Sequence, residues 1–261
     1  MKYIKKYENG TAYNNASLIL PNISLISSDN SLHINPDTNT SPQYDYVEIG
    51  GIKWATKNLG ATKIGDYGLF FQWGNTQGYT YQQLLNNEHN LSIENHPLYN
   101  PNDSDNITTK YNAIDQKTEL ELIDDPVHAA LGGNWRTPTG TEYTTLFQHT
   151  KQVWVHNYNN TLNGLLLIDN SDGSKQLYFP ACGYFYLSNE SQNNNWESSN
   201  EYAQYWTSTL SGSCSPGWAP DINIMEVFEG KLSDEEISPI SVTPCNYALP
   251  VRGIIDDNLN S

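Results

Sequence analysis

Leu131–Phe147 reads LGGNWRTPTGTEYTTLF, and its reading decides the fold. The run holds a helix stop, a strand-like Trp135-Arg136 pair, a rigid turn and a helix start. Just upstream, Asp125-Pro126 is an Asp N-cap followed by proline at the first helical position. The helix it opens, Pro126–Leu131, is predicted to stop at Gly132-Gly133, where glycine tolerates a left-handed C-cap. Pro138 drives Thr137 towards extended geometry. Thr139 and Glu142 then form a T-x-x-E capping box for a helix over Gly140–His149, with Tyr143, Leu146 and Phe147 as its apolar face. Each residue type has a local mechanical reason to be present, so the stretch reads as a scaffold junction rather than a catalytic motif. Trp54, Trp135, Arg136, Pro138, Thr139 and Glu142 are accordingly expected to be structural. The expectation for the first three is buried aromatics around a guanidinium whose donors tie loops together.

Working outward, YVEIGGIKWA predicts a hairpin, Tyr46–Ile49 and Ile52–Ala55 about a Gly50-Gly51 turn. DYGLFFQWG (Asp66–Gly74) reads as an aromatic strand. Residues 75–110 read as a long Asn-rich surface insertion, with Tyr111–Ile114 a brief strand after it. Beyond the organising stretch, Gly164–Asp169 and Gln176–Pro180 flank the turn signature Asn170-Ser171-Asp172-Gly173. Ala181–Leu187 continues as a strand, and Ser188–Asn200 reads as a polar loop carrying Trp196. Tyr205–Thr209, Ile222–Phe228 and Ala248–Ile254 read as terminal strands, the last through the core. Residues 1–44 lack a core of their own. They read as an arm that adds to another surface, with a flexible leader as the alternative.

The 261 residues can bury a sizeable core. Net charge is −16 with only 13 Lys and Arg, which argues against nucleic acid and against an anionic membrane face, since both need clustered cations. No run is long and apolar enough for membrane insertion, and the broken patch Leu18–Ile26 does not resemble a signal-peptide core. Cys182, Cys214 and Cys245 show no C-x-x-C spacing, so zinc is not supported; a Cys214–Cys245 disulfide and three unlinked thiols remain alternatives. No histidine pair or nucleophile motif indicates a hydrolase.

Six ordered motifs, VEIGGIKWATKNLGA, DYGLFFQWG, LGGNWRTPTGTEYTTLF, LYFPACGYF, YWTSTL and LPVRGI, resemble those of the Fibrobacter succinogenes major paralogous domain. That domain abounds in surface proteins of gut Bacteroidales and in their phages. The resemblance covers about residues 46–254 and implies a C-type-lectin-like fold, related to formylglycine-generating enzymes and to phage receptor-binding domains. The expected class is α+β: two helices and a twisted, mostly antiparallel sheet over residues 45–261, preceded by the extended arm. The opening KKYENGTAYNNASLILPNISLI is similar to openings of crAss-like gut bacteriophage virion proteins.

The resemblance implies a non-enzymatic virion protein (a head fibre, capsid decoration or tail-associated component) assembled in the bacterial host cytoplasm. The arm would bind other virion proteins, homo-oligomerisation is expected, and a host-surface or mucosal glycan is the expected ligand. A cell-surface adhesin of a gut Bacteroidales is the alternative. Formylglycine-generating chemistry needs paired copper-binding cysteines near the last core strand, and the PVRGI ending lacks them. The E-P-N or Q-P-D triplets of calcium-dependent lectins are absent too. Asp221, Asn223 and Glu226 read as a solvated face, with calcium coordination as the alternative; no other cofactor or metal is expected. The candidate ligand-binding residues are Trp196, Tyr202, Tyr205, Trp218 and Asp221, in or beside polar connections where Tyr and Trp stack against sugar rings at low entropic cost.

Overall fold

In the computed structural model, residues 44–103, 107–187, 194–197, 200–211, 221–228 and 240–259 are described. The chain begins with β1 (Tyr46–Ile49), β2 (Ile52–Ala55), β3 (Leu69–Phe71), β4 (Tyr79–Thr80) and the short helix α1 (Tyr81–Leu85). The organising stretch gives α2 (Pro126–Leu131), β5 (Trp135–Arg136) and α3 (Gly140–Gln148). A meander follows: β6 (Thr150–Val155), β7 (Gly164–Asp169) and β8 (Gln176–Pro180). The rest comprises β9 (Tyr184–Leu187), β10 (Asn194–Glu197), β11 (Tyr202–Leu210), β12 (Asp221–Phe228), β13 (Ile240–Pro244), β14 (Leu249–Pro250) and β15 (Ile254–Ile255). The class is α+β with strands dominating.

Instead of one twisted sheet there are several small antiparallel ones: β1-β2-β15-β5, β14-β3-β4, β6-β7-β8, β9-β10 and β11-β12-β13. The C-terminal segment joins them. β14 pairs with β3, and two strands pair with β15, β2 on one side and β5 on the other. The expected core passage of Ala248–Ile254 is thus realised as two short pairings around a buried link, Val251-Arg252-Gly253.

The local signals form at the expected residues. Gly50 and Gly51 both hold positive φ (61° and 77°), as a two-residue hairpin turn needs. The Asp125 carboxylate accepts from the Val127 and His128 amides and also from the amide and hydroxyl of Thr137, so the cap fixes the chain beyond Gly132 as well. Gly132 sits at φ 64°, ψ −165°, a region open to glycine almost alone. The Thr139–Glu142 capping box is complete. Its Glu142 is also gripped by both terminal nitrogens of Arg136 (2.9 and 2.6 Å), while Arg136 Nε reaches Asp256 at 2.8 Å.

Two expectations need correction. Residues 75–110 are no surface excursion: they contribute α1, a third α-helix among the described residues, and they bury Tyr79, Leu84, Leu91, His96 and Leu98. Tyr111–Ile114 forms no strand. Tyr111 has φ 60°, and the Asp115 carboxylate accepts the amides of Tyr111 and Asn112, an arrangement that folds the chain back locally.

A second guanidinium, that of Arg252, lies deeper than the partly exposed Arg136. Arg252 is 0% exposed and its partners are uncharged. It donates to Asn58 Oδ1 (2.7 and 3.2 Å), Ala55 O (2.9 Å) and Tyr178 O (2.8 Å), and lies 4.5 Å from the Phe179 ring centroid. Asn58 in turn donates to Tyr67 O and the Tyr205 hydroxyl. One side chain thus ties β2, β8, β11 and the C-terminal segment. Arg252→Met leaves those acceptors buried and unpaired. We expect a loss of about 3–5 kcal/mol, read as a melting temperature lower by about 10 °C.

His96 is fixed in its neutral form, with Nε2 2.9 Å from Trp73 O and Nδ1 accepting the Leu98 amide. Burial pushes its pKa down from 6.5 to about 4. Its contribution is therefore fully present above pH 6.5 and lost as the pH falls through about 4. The shift corresponds to roughly 3 kcal/mol. Denaturant titrations across this window should show a slope that His96→Gln flattens.

Candidate functional site

The candidate ligand residues separate sharply. Tyr205 is 0% exposed: its hydroxyl donates to Pro180 O at 2.7 Å, and its ring meets Phe179 edge-on. It belongs to the core and cannot be a surface contact. Trp206, its neighbour on the opposite face, is buried as well, with Nε1 donating to Phe71 O at 2.6 Å. Trp196 lies within β10, opposite Phe185, so this part of Ser188–Asn200 is strand rather than loop. Asp221 opens β12 opposite Pro244. Trp218 lies outside the described residues, as do Cys214 and residues 1–43, so the disulfide and the arm lie there too.

Of Tyr202 and Tyr205, the two candidates whose side chains are described, Tyr202 joins a partly exposed cluster. It begins β11, opposite Phe228 of β12, with ring centroids 6.1 Å apart. Its ring meets Tyr184 of β9 edge-on at 5.8 Å. Tyr184 and Tyr186, two apart on one strand, point the same way, and both stack on Tyr247 from the turn before β14 (5.9 Å at 11° and 5.2 Å at 16°). All these rings are partly exposed. The opposite side of β9 carries Phe185, which is buried in the main core against Phe70 and Tyr81. The strand is thereby anchored on one face and presents tyrosines on the other.

Polar groups complete the site. The Tyr202 hydroxyl donates to Glu226 Oε1 at 2.5 Å and accepts from Gln204 Nε2 at 2.9 Å. Burial first, and the Glu226 carboxylate second, push the Tyr202 pKa up, so the phenol stays protonated. Gln204 is only 8% exposed, and its Oε1 is buried with no hydrogen-bond partner among the described residues. Rings and a carboxylate suit a ligand that offers hydroxyl donors and a flat apolar face.

Tyr184, Tyr186 and Tyr247 were not singled out from sequence, although the alternation in YFYL was visible. Tyr247 comes to them only through the bridge between Phe185 and Ala248. The residues expected to be structural are placed as follows. Trp54 is buried against Tyr143, Trp135 pairs with Ile255, and Arg136, Thr139 and Glu142 share the network already described, with Pro138 O accepting the Ser208 amide.

Among the described residues no three His, Cys, Asp or Glu side chains gather as a metal set would, and no helix is long and apolar enough to cross a membrane. No known family model, curated protein or solved structure matches the chain.

Tyr205→Phe removes the hydroxyl that joins Pro180 to Asn58. We expect it to cost about 1–2 kcal/mol in chemical denaturation.

Proposed function

We propose that the chain is a non-enzymatic phage virion component, a head fibre, capsid decoration or tail-associated protein. Its domain of residues 45–261 is of C-type-lectin-like type and offers the tyrosine cluster to host-surface or mucosal glycans. Residues 1–44 attach it to other virion proteins and to sister chains in a homo-oligomer. The observation that carries the binding half of this reading is the partly exposed set Tyr184, Tyr186, Tyr202 and Tyr247 beside Glu226 and Gln204. Phenol rings stack on sugar rings, and polar groups beside them fix orientation. Small open sites of this kind bind weakly, and many copies on one particle convert weak contacts into avidity. The lectin-like assignment is supported by the six ordered motifs and by their convergence on one core: the LPVRGI arginine meets Ala55 and Asn58 of the first motif and Tyr178 of the fourth.

A second reading, a surface adhesin of a gut Bacteroidales, is favoured by the same motifs, which occur in such surface proteins. Immunogold electron microscopy of purified particles with antibody to this chain separates the two. Label on capsid or tail is expected. Bare particles with labelled bacterial envelopes would move the assignment to the adhesin.

A further inference from the structure

The tyrosine cluster has a chemical bias, and on the glycan reading above it narrows the ligand class. We infer that the site accepts the uncharged face of a neutral saccharide and excludes acidic sugars. Two features carry this.

The first is ring geometry. Tyr184, Tyr186 and Tyr247 are nearly parallel, with centroids 5.2–6.0 Å apart. A guest held between two rings needs them roughly 7 Å apart, twice a van der Waals spacing. No guest enters between these rings, so a ligand lies across their exposed surfaces, as the C–H face of a pyranose does.

The second is the polarity of the groups beside the rings. Gln204 Oε1 is a buried acceptor with no hydrogen-bond partner among the described residues, on a residue 8% exposed. Its amide nitrogen already serves the Tyr202 hydroxyl, and that hydroxyl already serves Glu226. The Tyr202 proton is thus taken within the cluster, and the Glu226 carboxylate offers acceptor capacity beside the rings. A sugar hydroxyl donates to such an acceptor. A sialate carboxylate or a sulfate brings a second negative charge against it. The net charge of −16 adds repulsion at longer range. Specificity of this kind comes from what the site repels as much as from what it holds.

The test uses the full chain, titrated by saturation-transfer NMR with lactose, N-acetyllactosamine and maltotriose as neutral probes. Sialyllactose and a heparin-derived tetrasaccharide serve as acidic probes, and choline as a cationic one. At least one neutral probe should bind, and the acidic probes should bind roughly tenfold more weakly or not at all. Glu226→Gln, which keeps the side chain's shape, should narrow that gap. Tyr186→Ala should weaken neutral binding about fivefold with an unchanged melting profile. Equal or tighter binding of sialyllactose or the heparin fragment overturns this inference and leaves the glycan reading standing. Choline binding more tightly than every saccharide overturns it in favour of a cation site. Failure of all the saccharides overturns both the inference and the glycan reading.

Discussion

The Arg252 guanidinium is the interaction on which the rest of the molecule depends. Fully burying a cation among uncharged partners is costly, and burial pulls its pKa down from the ordinary arginine value. The cost is offset because its donors are placed on Ala55 O, Tyr178 O and Asn58 Oδ1 while the Phe179 ring faces it. The acceptors come from two distant parts of the chain, Ala55 and Asn58 at the end of the first hairpin and Tyr178 in the meander. The arrangement cannot be satisfied until the first hairpin, the central meander and the C-terminal segment have all come together. A protein built of many two- to nine-residue strands has little cooperativity within any one sheet. A shared polar centre supplies it.

Around that centre the fold is two-sided. β11 and β12 bury Ala203, Tyr205, Met225 and Val227 in one cluster and Trp206 and Ile224 in a second. At the strand end the second side opens, and there Tyr202, with Phe228, Gln204 and Glu226 around it, meets Tyr184 of β9. The candidate site is therefore the unfinished edge of a core. Its rings are held by packing behind them, which leaves little side-chain entropy to lose when a ligand arrives.

The charge balance fits such a site. Arg136 is consumed by Glu142 and Asp256, Lys53 by Asp257, and Lys110 by Asp124 and Glu121. These three cations serve as staples between segments, and the net charge on the chain is negative.

The sequence by itself determined the local devices: the hairpin at Gly50-Gly51, the Asp125 and Thr139 caps, the stop at Gly132 and the hairpin across Asn170–Gly173. Each is specified within a few residues by backbone sterics or a short hydrogen bond, so nothing distant is needed. The sequence reading passed over β6 and β13. It also took residues 75–110 for a surface loop, because their polar composition conceals four well-spaced apolar anchors, Tyr79, Leu84, Leu91 and Leu98. Which arginine is buried, and which tyrosines are exposed, only the tertiary structure decided. Tyr202 and Tyr205 lie on one strand in similar local sequence. Alternation assigns them to opposite faces, but both faces of β11 are covered along its middle, so exposure depends on where the neighbouring layers end. That boundary is set by contacts between residues far apart in the chain, and no local pattern encodes it.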